Sequence, residues 1–446
     1  MKNYLIKNAK VVNEGSVKTL DVLVKNGRIE KIDSNLSQSD GSVNIVDAEG
    51  AYLLPGIIDD QVHFREPGLT HKADIEHESR AAVAGGITSY IEQPNTVPQA
   101  TTLELLEQKY AIGAQRSIAN YSFNLGATNE NLDELKKASK KTIAGIKIFM
   151  GSSTGNMLVD DRKVLEQIFS EVDHQLITHC EDEHTIQTNL EKFKAEYGED
   201  IPMKFHPVIR SEQACLLSSS SAVEMARKFG SRLHVYHIST GVETKLFDNS
   251  IPLKDKKITS EACTHHLWFN DSFYETKGSL IKWNPAVKTE ADREEIWKAV
   301  LDDRIDVLAT DHAPHTLEEK KQPYTSAPSG GPLVQHHLPA MMEMVHRGVI
   351  SIEKLVEKMC HNPAILFRIE ERGFIREGYK ADLVIVDPSR PWVVSKENIL
   401  SKCKWSPFEG TTFRSRVTHT FVNGNLVFEK GRINESIKGE RLAFDR

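Results

Sequence analysis

The chain has 446 residues, 39% of them hydrophobic and 27% charged, with a formal net charge of −7. That is long enough for one large α/β unit plus a smaller one around a sizeable core. The acidic balance argues against a nucleic-acid partner, which needs a basic face. The opening stretch MKNYLIKNAKVV is broken by Lys and Asn, so it reads as neither a secretion signal nor a membrane span.

Residues 1–50 alternate apolar and polar positions, with a turn at Asn26-Gly27. This is hairpin chemistry, because both turn residues tolerate positive φ. The texture returns at the far end, in residues 381–387 and in residues 417–428 with a break at Asn423-Gly424. Two β-rich ends enclosing a different middle predict one small β-sandwich assembled from residues 1–52 and 365–446.

The middle, residues 53–364, alternates strand-like and helix-like segments. Short β-branched runs fall near residues 57–63, 87–92, 120–125, 145–149, 175–179, 233–237, 257–261 and 306–310. Helical stretches lie between them at 71–84, 161–172, 211–229 and 290–302. Eight such units over about 250 residues match an α/β fold of the (β/α)8 TIM-like barrel type. An open doubly wound sheet is the alternative. The lysine-rich run 136–141 reads as a solvated helix face.

Five residues stand at or beside the ends of these runs: His63, Lys147, His179, His237 and Asp311. In a barrel the carboxyl ends of the strands share one rim, so distant residues converge there. Imidazole nitrogens and carboxylate oxygens meeting at one place suit a divalent, zinc-like metal. The five cysteines show no CxxC pairing and fit reduced thiols in a cytoplasmic protein. Cys180 follows His179 directly, yet it reads as a small apolar filler rather than a nucleophile. His265 and His266 face the same rim and receive no role. Residues 151–156 and 328–332 are rich in Gly, Ser or Pro and are candidates for a loop that closes over a ligand.

The run Asp59-Asp60-Gln61-Val62-His63-Phe64-Arg65-Glu66-Pro67-Gly68 resembles the first-strand motif of the dihydroorotase family of cyclic amidohydrolases. Gln93-Pro94-Asn95-Thr96, Gly145-Ile146-Lys147, Thr178-His179-Cys180-Glu181-Asp182, His237-Ile238-Ser239-Thr240 and Thr310-Asp311-His312-Ala313-Pro314-His315 follow in the family's order. Lys404-Trp405-Ser406-Pro407-Phe408-Glu409-Gly410 is similar to its C-terminal motif. The strand-end residues are shared with hydantoinases and allantoinases. Arg65, Asn95 and His315 narrow the resemblance to dihydroorotase.

The resemblance implies a carboxylated Lys147 as bridging ligand of one or two zinc ions. One would be held with His179 and His237, the other with His63 and Asp311, and a hydroxide would lie between them. It implies Asp311 as general base and acid. Arg65, Asn95, His315 and Asn284 would contact a small-molecule substrate. That substrate would be N-carbamoyl-L-aspartate, cyclised reversibly to dihydroorotate plus water. One departure stands out. The family usually has His-x-His where this chain has Gln61-Val62-His63, and a neutral carboxamide oxygen is a poorer zinc ligand than imidazole. Two other readings remain at this point, a hydantoinase or allantoinase type of cyclic amidase and a non-catalytic scaffold subunit. No membrane partner is expected, and a homo-oligomer is compatible with the resemblance.

Overall fold

The computed structural model describes residues 2–37, 43–151 and 157–446. Among these, eight parallel strands form the middle of the chain. They are Ile57–Val62, Ile87–Glu92, Asn120–Phe123, Ile146–Phe149, Gln175–His179, Arg232–Val235, Ile258–Cys263 and Val307–Ala309. Each pairs in parallel with its sequence neighbour. The third-to-fourth contact runs through Leu125–Gly126, which continues the third strand. The ring closes where Val62 bridges His312 and the His63 N–H donates to the His312 carbonyl at 2.7 Å. The closed barrel is therefore the architecture, and the open sheet is excluded. The first two strands are buried at every position, as parallel strands covered on both faces must be.

The helices follow their caps. Arg162–Glu171 starts after Asp161, Glu212–Phe229 after Ser211, and Glu290–Leu301 after Thr289 with a capping box. Gly230 ends the second of these in the left-handed region, at φ 72°. These bounds agree with the sequence to within one residue.

Two expectations need correction. The first helix spans Ile75–Ala84 and not 71–84. Asp74 accepts the His77 N–H at 2.9 Å and Glu66 accepts that of Ile75 at 3.0 Å, so the first-turn donors are already taken and the helix stops there. The run 136–141 is helical only at its start, since that helix is Leu132–Lys136. Beyond it the Lys141 carbonyl accepts the Phe444 N–H at 3.0 Å, a bond from the C-terminal tail in place of a helical one.

Asp74 also ties the helix to the segment just before the C-terminal motif, through Lys402 Nζ at 2.7 Å. Burial pushes its carboxyl up, but the Lys402 and His77 bonds more than offset this and hold it down at about 2. A depressed carboxyl stabilises the fold above its ordinary pKa and loses that contribution as pH falls towards 2. Asp74→Ala is expected to cost about 1–2 kcal/mol by thermal or urea unfolding at neutral pH. The difference from wild type should shrink below about pH 4.

The chain termini build a nine-stranded sheet. Tyr52–Pro55 from the N-terminal part pairs antiparallel with Leu383–Asp387 from the C-terminal part. Both Asn-Gly turns adopt positive φ, 50° and 80° at Asn26 and Gly27, 50° and 73° at Asn423 and Gly424. The sheet folds over, so that these two turns touch and the Tyr4 and Phe421 rings lie 5.2 Å apart. Alternate residues divide its faces. Leu53, Leu383 and Ile385 fill the sandwich, whereas Leu54, Val384 and Val386 pack on the barrel. The division at 365–446 is less clean than the sequence suggests, because Leu442 and Phe444 leave the sheet. They pack under the barrel with Ile58, Ile91, Ile177 and Tyr236. No helix among the described residues is long and apolar enough to cross a membrane.

Candidate active site

His63, Lys147, His179, His237 and Asp311 line one cavity of about 500 Å³ at the rim formed by the strand ends. Gln61, Arg65, Asn95, Asn284 and His315 line the same cavity. Arg65, His237 and Asp311 sit just beyond their strands at φ 68°, 40° and 48°. Non-glycine residues rarely adopt this region, and they tend to do so where a side chain must be aimed. Here each turn swings a polar group back over the barrel mouth.

His179 and His237 meet. Nδ1 of the first lies 3.0 Å from Nε2 of the second. The other nitrogen of His179 donates to the Glu181 carboxylate at 2.9 Å, which leaves Nδ1 with a bare lone pair facing His237. Burial pushes the Glu181 carboxyl up, but the Arg210 guanidinium and the His179 ring outweigh it and hold it at about 2. A carboxylate that fixes the ring of a metal-type histidine is the usual support for such a ligand. Sequence reasoning misses Glu181; its signal is its place two residues after His179, within Thr178-His179-Cys180-Glu181-Asp182.

Lys147 Nζ lies 4.0 Å from the centroid of the Tyr236 ring and has no hydrogen-bond partner among the described residues. Burial pulls its ammonium down to about 7, against the opposing pull of Glu261 and Asp311. A buried amine without a partner that loses its proton near neutrality can add carbon dioxide, because only the neutral amine attacks it. This orphaned nitrogen, in one cavity with two imidazoles whose nitrogens converge to 3.0 Å, fits a metal held through a carboxylated lysine.

Across the cavity His63 Nε2 stands 3.3 Å from Asp311 Oδ1, and Asn95 Oδ1 accepts from His63 Nδ1 at 2.8 Å. The Asn95 carbonyl oxygen therefore orients His63, and its Nδ2 is the atom left for a ligand. Burial pushes the Asp311 carboxyl up to about 7, with Lys147, His179 and Arg65 pulling it back. That is the range a group needs in order to take and return a proton near neutral pH.

The far end of the cavity is cationic. The Arg65 guanidinium is anchored by Nε to the Pro314 carbonyl at 3.1 Å, and its Nη2 lies 3.0 Å from His315 Nε2. Lys72 Nζ lies 3.1 Å from His315 Nδ1, and the Ser329 carbonyl is 3.0 Å from His315 Nε2. Burial and the Arg65 charge hold this imidazole well below its ordinary pKa, hence neutral. Lys72 also pairs with Glu319 at 3.0 Å. Nothing along the chain marks Lys72, which falls in the stretch 71–84 read as helical and lies outside the helix in the structure.

Of the candidate closing loops, 152–156 lies outside the described residues. The other is pinned. Lys320 Nζ donates to the Pro328 and Gly330 carbonyls, each at 2.8 Å, and Lys282 Nζ to the Ala327 carbonyl at 2.5 Å. A Cβ at Gly330 would lie 2.4 Å from the Ala313 carbonyl oxygen, so only glycine fits there.

Other candidates are structural. Cys180 is buried, and burial pushes its thiol up to about 12, far from a nucleophile. His265 stacks on Trp283 at 4.5 Å and His266 Nε2 donates to the Pro285 carbonyl at 3.1 Å; neither lines the cavity. Deeper in the barrel Asp60, His234 and Glu261 bring their donor atoms within 4.8 Å of one another. Burial lowers the His234 pKa, but the two carboxylates outweigh it and raise the ring to about 9. The His234 ring, 3.1 Å from Asp60 and 3.6 Å from Glu261, already supplies positive charge to this group, and burial with Asp60 pushes the Glu261 carboxyl well up.

A profile of the amidohydrolase family matches residues 52–427. Among curated relatives, a dihydroorotase of Halobacterium salinarum is 34% identical over 403 residues, covering 87% of this chain and 91% of the relative. A dihydroorotase of Pyrococcus abyssi is 31% identical over 440 residues and 98% of both chains. Among solved structures, an L-hydantoinase from Arthrobacter aurescens superposes with a TM-score of 0.91 at 29% identity, covering 97% of this chain and 98% of that one. A dihydropyrimidinase from Brevibacillus agri gives 0.89 at 23% identity over 100% of each, a likeness of fold alone.

Proposed function

The chain belongs to the amidohydrolase family, and from that premise we propose that it is a dihydroorotase, closing N-carbamoyl-L-aspartate reversibly to dihydroorotate and water. The observation that carries the choice of substrate is the cationic end of the cavity. Arg65 and Lys72, around a neutral His315, line the cavity that also holds the His179–His237 pair. Hydantoins and dihydropyrimidines lack the ring carboxylate that this end would bind. The dihydroorotases among the relatives point the same way, and the L-hydantoinase likeness marks the rival.

Lys147, once its amine has added carbon dioxide and released a proton, would hold a zinc ion with His179 and His237. The metal would supply Lewis acidity, polarising the scissile carbonyl and lowering the pKa of attacking water. The rest belongs to the protein's own side chains. Arg65 grips the retained carboxylate with parallel N–H bonds, a geometry that lysine lacks. Asn95 Nδ2 and Asn284, which line the same cavity, would contact the substrate ring. Asp311 accepts the proton of the attacking water during ring opening and returns it to the departing amide nitrogen. In ring closure it removes the proton from the carbamoyl nitrogen that attacks. Glu181 and Asn95 hold the two rings that flank the reaction. We place the enzyme in the cytoplasm, in keeping with five free thiols.

The test is a side-by-side assay of carbamoyl aspartate cyclisation, dihydroorotate opening and hydantoin opening by the zinc-loaded protein. Dihydroorotate is expected to be preferred by at least about 100-fold in kcat/KM, roughly 3 kcal/mol. Faster hydantoin opening would replace this reading with the hydantoinase one. A metal-binding chain inert towards all three would support a scaffold. Ring closure consumes one proton, so the product-to-substrate ratio at equilibrium should rise roughly tenfold for each pH unit of acidification. A ratio flat with pH would contradict the assigned reaction.

A further inference from the structure

The Gln61 side chain is fully buried between the first and last barrel strands. Its Nε2 donates to Asp311 Oδ1 at 3.2 Å, and its Oε1 is turned away towards Cys263 Sγ at 3.6 Å. Both neighbours fix the amide in this sense. An ionised carboxylate can only accept, so it requires the NH2 side, and the thiol can donate to the oxygen. The carboxamide therefore presents N–H groups, not lone pairs, to the space it shares with Asp311.

We propose that Gln61 serves as a hydrogen-bond donor to Asp311 and not as a metal ligand, so that each chain retains one tightly held metal, at Lys147, His179 and His237. The inference rests on the amidohydrolase reading of the site and deepens it. The two halves of the cavity differ in what they offer a cation. At one half His179 turns a bare Nδ1 towards His237 Nε2, and Glu181 locks the ring in place. At the other, His63 Nε2 and Asp311 Oδ1 face each other at 3.3 Å, and the neighbouring position holds a donor. Lys147 aside, this half offers one imidazole and a carboxylate already engaged by the Gln61 amide, against two imidazoles at the other. What it loses in metal affinity it gains in order at Asp311, whose carboxylate is held on one oxygen by Gln61 and flanked by His63. The Asp311 backbone is held separately, by the Trp283 Nε1–H donated to its carbonyl at 3.2 Å.

The experiment counts metal. Wild type, Gln61→His and Gln61→Leu would be loaded with zinc and bicarbonate, dialysed against a weak chelator, and measured by atomic emission against protein concentration. One zinc per chain is expected for wild type and two for Gln61→His, where an imidazole replaces the donor. Gln61→Leu, which offers neither ligand nor donor, should still retain one. Two zinc ions per wild-type chain that leave together on titration with chelator would overturn the inference. So would a Gln61→Leu protein, folded by circular dichroism, that has lost its zinc. A wild-type chain that takes up no zinc at all would remove the reading of the site itself, which the cyclisation assay would then register as inactivity.

Discussion

Asp311→Asn is expected to lower kcat for ring opening by at least about 1,000-fold, near 4 kcal/mol of barrier, with zinc content unchanged. An amide cannot take a proton from water or return it to a leaving nitrogen, whereas the steric change is nil. The position tolerates the replacement unusually well. Asp311 sits at φ 48°, where Asn is the residue of choice after Gly. Its ionised form is also disfavoured by burial, which pushes the carboxyl up to about 7. Removing a buried charge should leave the melting temperature equal or higher. For the unsubstituted enzyme, ring opening should weaken as the pH drops through the range where this carboxyl takes up its proton. Activity of the variant within about tenfold of wild type, a margin of only about 1.4 kcal/mol, would take the base role away from Asp311.

Arg65→Lys should raise KM for dihydroorotate and lower kcat/KM by roughly 100-fold, about 3 kcal/mol, through loss of one charge-assisted bond and of the fixed fork. The charge survives, so the loss measures geometry. Burial pulls the guanidinium down to about 10, so it remains a cation at neutral pH, and its Nε bond to the Pro314 carbonyl holds the fork in place. A lysine ammonium has neither that anchor nor the planar pair of donors. Hindered access to the φ 68° backbone applies equally to both residues and does not confound the comparison. Residual hydantoin opening, measured on the same sample, should change by less than about threefold, since that ring offers Arg65 nothing to bind. A parallel loss on both substrates would reassign Arg65 to shaping the cavity.

Much of this was legible along the chain because the signals are local. Asn26-Gly27 and Asn423-Gly424 announce their turns by the φ values they tolerate. Asp161, Ser211 and Thr289 announce the helices they cap. His63, Lys147, His179, His237 and Asp311 were found from strand ends alone, and one cavity gathers them. The errors also have local causes. Residues 71–74 carry a helical pattern, but Glu66 and Asp74 take the first-turn N–H groups and end it. The tail at Phe444 captures the Lys141 carbonyl, a bond spanning some 300 residues that no window of sequence reveals.

The one-dimensional pattern singled out residues that the fold gathers in one cavity, and the elements that present them, since periodicity, capping and turn preference act over a few neighbours. Tertiary structure alone decided how those residues are wired. Closure of the first strand against the last sets Gln61 on Asp311, 250 positions away, and points its amide nitrogen there. The same fold brings Lys72 to His315 and Arg210 to Glu181. Such pairings depend on distances between strands and loops that meet only when the ring shuts. The direction of a side-chain dipole is then fixed by whichever donor or acceptor it meets.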